Sequence, residues 1–471
     1  MNSLNPRIAE SRTQINRPSA PNRRQFLAAT STAFAALVAS GCSVRPSFDQ
    51  KGPNQSRVGQ SSPDSSGSVG YGALVADPEG VLDLPAGFSY RVISSLGDAM
   101  SDGGVVPDKA DGMGCLDLGN GELVLVRNHE LVPGDAAGGA IAHGFGTRNG
   151  DIVPGGTTHL VLDAETLAVK RQFRSLGGTI RNCSGGVTPW GSWLSCEEAP
   201  TGPGQRYGEG LAVNHGWVFE VPGDAQELVQ AEPLRAMGRF NHEAACVDPN
   251  QGYVYMTEDR DDSVLYRFLP NESAKLSAGG QLQAMVIDGV TDTRNWDSAS
   301  MTVGSSHPIR WIDVDDVEAP KDDLRLRAAA KGASLIARGE GIHMGDGDIF
   351  LCSTSGDAKK LGQIFRLQLG TDQQSAQIEL FFESESADQF NFGDNLCVAP
   401  NGHIIVCEDQ YTKVVDNHLR GITVSGQPYD LGRLNLQTEL AGACFSPDGQ
   451  WLFVNAYAPT RTFAITGPWS V

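Results

Sequence analysis

Oxygen-bearing side chains stand where apolar segments of this chain begin or end. Asp111, Asn128, Glu130, Glu197, Glu198, Glu243, Glu258, Asp259, Glu340, Asp394, Asn395, Glu408 and Asp409 form that set. Charges seldom close an apolar strand without a partner. Brought together, so many carboxylates would raise one another's pKa steeply unless cations neutralised them. Carboxylate and carboxamide donors suit hard ions such as calcium, magnesium, manganese or ferric iron better than zinc or copper. For any one Glu taken alone, a solvated rim position is the competing reading.

Cys183 differs from the other cysteines. It lies in Asn182-Cys183-Ser184-Gly185-Gly186, at a polar segment start, whereas Cys115, Cys196, Cys246, Cys352, Cys397, Cys407 and Cys444 lie in apolar strand patterns. A thiolate among carboxylates draws a site from calcium toward iron; a buried structural thiol is the alternative. His129 and His242 each sit in an Asn-His-Glu tripeptide. They either orient ligands from behind or serve as hydrogen-bonded structural histidines. Arg338, two residues before Glu340, suits two-pronged binding of a phosphate or carboxylate, with Arg127, Arg181, Arg239 and Arg260 as rivals. GxSxG, SxxK, HExxH and the phosphate-loop and dinucleotide glycine patterns are absent, which leaves a metal-bound oxygen as the economical nucleophile.

Tight turns set these residues in place. Gly119-Asn120-Gly121, Trp190-Gly191, Asn250-Gln251-Gly252, Gly345-Asp346-Gly347, Pro400-Asn401-Gly402 and Pro447-Asp448-Gly449 each precede a strand-like run. Six residues after the last Gly of each turn stand Arg127, Glu197, Glu258, Ser353, Glu408 and Asn455. Hairpins of this kind put both open ends on one side. The turn glycines are 70, 61, 95, 55 and 47 positions apart, intervals near the roughly 40–50 residues of a four-stranded propeller blade. The pattern predicts an all-β, six-bladed β-propeller whose inner strands converge on one site. A β-sandwich explains the strands but not the repeated turn-to-carboxylate distance. The long interval holds one helical candidate, Asp322 to Ala337, read as an insertion.

The chain has 471 residues, 40% apolar, with 56 Gly and 25 Pro: enough for a large, turn-rich core. A net charge of −20 argues against a nucleic-acid partner. Arg23-Arg24-Gln25-Phe26-Leu27 is a twin-arginine pattern before a short, weakly apolar stretch. Ala39-Ser40-Gly41-Cys42 resembles a lipoprotein cleavage box, with Cys42 as the lipidated residue and a plain cleaved signal as the alternative. Residues 1–42 are thus read as an export signal, 43–70 as a Ser/Gly/Pro tether and 71–471 as the propeller. The expected protein is exported by the twin-arginine machinery, periplasmic or outer-surface, monomeric, and bound to membrane only through a lipid.

An ordered motif series carries a resemblance. It runs Arg127-Asn-His-Glu130, Asn182-Cys-Ser-Gly-Gly-Val-Thr-Pro-Trp-Gly-Ser-Trp-Leu-Ser-Cys-Glu-Glu198, Gly238-Arg-Phe-Asn-His-Glu-Ala244, Thr257-Glu-Asp-Arg260, Ala337-Arg-Gly-Glu-Gly341, Gly393-Asp-Asn-Leu396 and Cys407-Glu-Asp409. With the twin-arginine signal, it resembles the PhoX-type alkaline phosphatases over most of the mature chain. The resemblance implies a propeller with two ferric and about three calcium ions around an oxide, acting on small organic phosphate esters. It maps a thiolate ligand of the irons to Cys183, iron carboxylates to Glu258 and Glu340, and the phosphate-binding Arg to Arg338. Calcium ligands would be Glu130, Glu197, Glu198, Asn395 and Glu408. Two features depart from the family: the chain is shorter than its larger members, and Arg260 to Phe268 lacks a Trp that some members carry. The alternatives are a calcium-dependent propeller lactonase or phytase-like hydrolase, and a non-catalytic calcium-stabilised binding propeller.

Overall fold

The computed structural model describes residues 69–469, apart from 206–207, 371–374 and 411–414. The twin-arginine segment, Cys42 and almost all of the tether lie outside the described residues.

All six expected turns join antiparallel strands. The hairpins are Ala110–Asp117 with Glu122–His129, Asn182–Val187 with Ser192–Glu197, and His242–Val247 with Val254–Glu258. Gly339–Met344 with Asp348–Ser353, Gly393–Val398 with Ile404–Glu408, and Leu440–Phe445 with Leu452–Ala456 complete them. The last glycine of each turn has φ between 71° and 86°, a conformation that costs L residues and not glycine. The second strands are continuous apolar runs, such as Leu123-Val-Leu-Val126, because they are buried on both faces.

The first strands of the six hairpins contact one another in chain order, and that of the sixth contacts that of the first. The sheets therefore stand around an axis, in a propeller-like arrangement, with apolar clusters between them. One sheet is completed by Ser89–Ser95, which pairs with Arg461–Thr466. Helix is nearly absent: among the described residues, Leu324–Ala330 is the one α-helix. No described helix is long and apolar enough to cross a membrane.

The long third interval differs from expectation. Its helix spans seven residues rather than the whole of 322–337. Gly332, at φ 103°, follows the helix end, and Leu335 and Ile336 form isolated bridges to Asp292 and Ser263. The interval also supplies Ser306–Asp313, which pairs with Gly280–Ile287 on one side and Gln377–Glu383 on the other. Two sheets thereby merge into one of nine strands, and both exposed edges are covered.

Two backbone features recur in every hairpin. The residue after the second strand donates its N–H to the carbonyl of a residue preceding the first. The pairs are Glu130–Lys109, Glu198–Arg181, Asp259–Asn241, Thr354–Arg338, Asp409–Phe392 and Tyr457–Glu439, at 2.9–3.2 Å. Each first strand then carries a β-bulge, led by Asp111, Cys183, Glu243, Glu340, Asp394 and Gly442 respectively. The sixth hairpin has one extra rung, Ala441 opposite Asn455.

Candidate metal centre

A bulge re-aims the side chain that leads it. Five of the six bulges carry a carboxylate or a thiol, and together they make the core of the site. Cys183 Sγ lies 3.1 Å from Glu243 Oε1 and 3.7 Å from Asp111 Oδ2. Cys183, Glu198 and Glu243 place one donor atom each within 4.8 Å of one another. Glu243, Glu340 and Asp394 do the same, so Glu243 belongs to both groups.

Neighbouring hairpins hold the bulges. Asn128 Nδ2 donates to the carbonyls of Cys183 (3.1 Å) and Ser184 (2.7 Å), while its Oδ1 accepts from Trp193 Nε1 and Ser195 Oγ. Thr257 Oγ1 donates to the Glu340 carbonyl and Asn455 Nδ2 to that of Asp111. Gly442 N–H donates to Asn395 Oδ1 at 2.6 Å, and Asn395 Nδ2 to Asp394 Oδ1. Gly442 has φ 65°, and a Cβ there would lie 2.3 Å from the Asp111 carbonyl oxygen.

The residues just past the second strands form the next layer. Arg181 bridges Glu130 and Glu198, and Tyr457 donates to the other oxygen of Glu130. Arg338 grips Asp259 with Nε (2.7 Å) and Nη2 (3.2 Å), and its Nη2 also reaches Glu340 Oε1 at 2.8 Å. Arg181 and Arg338 hold equivalent places, at φ 49° and 50°. Lys109 and Phe392 share that conformation at their own strand starts, so it belongs to the architecture and not to one arginine.

Burial dominates the electrostatics. It pushes Asp111, Glu198, Glu243 and Glu340 well above the usual carboxylate range, and neighbouring acids add to the shift. Asp394 rises to about 7, first from burial and then from Asp409. The Cys183 thiol rises by burial, then by the charges of Asp111 and Glu243. Burial also works to raise Asp259, but Arg338, Glu198 and Arg260 together outweigh it and the net shift is downward. Buried Asp111 Oδ1 and Asp409 Oδ1 have no hydrogen-bond partner among the described residues. Converging oxygens without donors, plus one thiol, fit cations.

Several residues expected in the site face elsewhere. Glu197 accepts from His215 and from the N–H groups of Ile180, Gly216 and Trp217. Glu408 accepts from Arg420 and from the N–H groups of Asn391 and His418. Glu258 accepts from Tyr266 and lies 3.6 Å from Arg325; burial raises it to about 8. The reason is strand alternation: these acids end the second strands pointing between sheets, and the next residue points inward. His129 bonds Thr158 and the Asp108 carbonyl, and His242 bonds the Gly238 carbonyl and packs on Phe240. Burial lowers both histidines, so they stay neutral. Cys183, Glu130, Glu198, Glu340 and Arg338 do come together, with Asn395 holding Gly442 and Asp394 as described. Asp111, Glu243, Asp394, Asp259 and Asp409 belong to the converging set but had no individual role assigned; Tyr457 was missed. Counting from the inter-strand register instead of from the turn would have found the inward layer.

The sequence profile of the family described as alkaline phosphatase PhoX matches residues 69–165 and 154–460. The chain belongs to that family. Membership makes it a phosphatase, of a metal-dependent kind. Among solved structures, Pseudomonas fluorescens PhoX in complex with vanadate, a transition-state analogue, is 18% identical. The match covers 82% of this chain and 96% of that one, with TM-score 0.64, which supports the shared fold. A gluconolactonase from Xanthomonas campestris, XC5397, is 13% identical over 85% of this chain and 99% of its own, at TM-score 0.38. No curated protein matches the chain.

The raised carboxyls make a pH prediction for this PhoX-family chain. A carboxyl whose folded pKa lies above its unfolded value, near 4, stabilises the fold below that value. The contribution is lost as pH rises through the folded pKa. Metal-free protein should therefore melt at a lower temperature at pH 8 than at pH 5, and added cations should narrow the gap. Calorimetry in chelator checks this; a higher melting temperature at pH 8 contradicts it.

Proposed function

We propose that this chain is an exported phosphomonoesterase that releases phosphate from small organic esters at a multinuclear iron and calcium centre. The observation that carries the reading is Cys183 packed against Glu243 inside a cluster of buried carboxyls, with Arg338 at its edge. Cys183, Glu198 and Glu243 would hold one ion, and Glu243, Glu340 and Asp394 another, with Glu243 shared. Asp111 and Asp409 supply further oxygens. The thiol favours iron at the first group, and the all-oxygen surroundings favour calcium. Bound there, the ions would supply Lewis acidity and a water acidic enough to react near neutral pH.

The chain's own side chains do the rest. Arg338 would hold the ester's non-bridging oxygens, its plane fixed by Asp259 and Glu340. Its side chain is 28% exposed, whereas the rivals Arg127 and Arg239 are fully buried on structural partners. Arg181 is the same device one hairpin pair away. Tyr457, raised first by burial and then by Glu130, stays protonated and keeps its hydrogen bond to that acid. A calcium propeller lactonase would need no thiol among its carboxylates, and the place of Cys183 favours the phosphatase.

We also count the fold as six blades. The closed cycle of six first strands and the six repeated entry-to-exit hydrogen bonds support that count. Export and a monomeric state are part of the proposal; Arg23-Arg24 and the Cys42 box support export. Mass spectrometry of the mature N-terminus tests it: a lipidated Cys42 should come first, and an uncleaved chain would count against export.

Replacing Cys183 by Ser should remove iron and turnover together while the domain stays folded, and Cys444→Ser should do neither. Iron analysis and circular dichroism decide; full iron in Cys183→Ser refutes the thiolate role.

Arg338→Lys should lose about 2–4 kcal/mol of transition-state binding on phosphate esters while keeping its metals, because an ammonium lacks the fork. Inorganic phosphate should also inhibit the variant more weakly. Loss of metal or melting temperature with unaltered phosphate affinity would instead make Arg338 a structural partner of Glu340.

A further inference from the structure

A cavity of ≈ 920 Å³ opens beside the cluster, bordered by Arg181, Glu198 and Asn241. Glu198 is a member of the first ion-holding group, so the cavity meets the proposed reaction site directly. Ile180 and Pro200 line it with apolar surface, and Arg148, Arg260 and Lys321 line it as well.

The charge state of that lining is unusual for this chain. Arg148 donates only to carbonyl oxygens, from Nε to Glu209 (2.9 Å) and from Nη1 to Pro133 (3.3 Å). Its guanidinium is thus held in place without being neutralised by a described carboxylate. Lys321 is exposed and makes no ion pair or hydrogen bond with a described residue. Arg260 is countered by Asp322 at 3.5 Å, and Arg181 by Glu130 and Glu198. Among the described residues Arg148 and Lys321 thus have no carboxylate within ion-pair distance, although Glu209 also lines the cavity, in a protein of net charge −20. A net negative chain on average repels a multiply charged anion; here the lining cations outnumber the lining acids by one.

We propose that this cavity is the leaving-group subsite, and that it selects phosphate esters whose leaving group carries a second negative charge. The inference rests on the phosphatase reading. The phosphoryl group would lie at the cluster, the carbon skeleton against Ile180 and Pro200, and the second anion between Arg148 and Lys321. These two residues confer specificity; they do not touch the reacting atoms.

Two esters separate charge from shape. 3-Phosphoglycerate and glycerol 3-phosphate differ by a carboxylate in place of a hydroxymethyl group. The metal-loaded enzyme should show a higher kcat/KM on 3-phosphoglycerate, and the preference should shrink in high salt. In Arg148→Gln/Lys321→Gln the ratio of the two efficiencies should fall on the order of fivefold, the scale of two solvent-exposed charge contacts. Arg148→Lys/Lys321→Arg should restore it, which separates charge from folding. Turnover of both esters with one ratio in all three proteins overturns the subsite and leaves the phosphatase standing. Turnover of neither overturns the phosphatase, and calorimetric titration with 3-phosphoglycerate then decides the subsite. Weaker binding to the glutamine variant upholds it, and equal binding refutes it.

Discussion

Acids crowded together out of water repel one another, and each loses its hydration as well. Asp111, Glu198, Glu243, Glu340 and Asp394 are in that position, and the described guanidiniums reaching into them belong to Arg181 and Arg338. Much of the surrounding structure answers this constraint. The arginines are held at the strand starts, where each can bridge two carboxyls. Asn128, Thr257 and Asn455 fix the backbone behind the acids, so the side chains have little freedom to move apart. A frame of this kind holds many carboxyl groups in one place, where they would lose their protons as cations bind.

Rigidity here comes from repetition. Every hairpin closes with the same hydrogen bond and bends at the same bulge, so the backbone offers equivalent stations around the axis. Function then depends on which side chain each station carries. One has a thiol, four have carboxyls and one has glycine. The neutral, buried His129 and His242 and the fully bonded Glu197 and Glu408 sit behind those stations and tie strand ends to the loops around them.

Much of this was legible in the sequence. The turn glycines mark all six hairpins, because φ above zero has a strong residue preference. Cys183 stood out by its polar, glycine-flanked setting. The inward acids were harder to sort from their neighbours, because a bulge has no reliable sequence signature and shifts side-chain facing by one residue. Glu258, which the family resemblance assigns to iron, faces between sheets, whereas Glu243 stands at the inward bulge; Tyr457 carries no signal behind the apolar strand that precedes it. The helix over 322–337 was overextended for another reason: helical spacing of Leu and Ala continued into a segment that bridges to Asp292 and Ser263.

Gly442 sets a ceiling on the site. A side chain at that station would collide with the carbonyl of Asp111, the neighbouring donor. Divergence can exchange thiol for carboxylate, or acid for amide, at the other stations without altering the frame. It cannot add a sixth donor while the first keeps its place. The ring of bulge donors therefore has a gap at the sixth hairpin. An ion bound near that gap would take its protein ligands from the neighbouring stations, and water could fill the side left open.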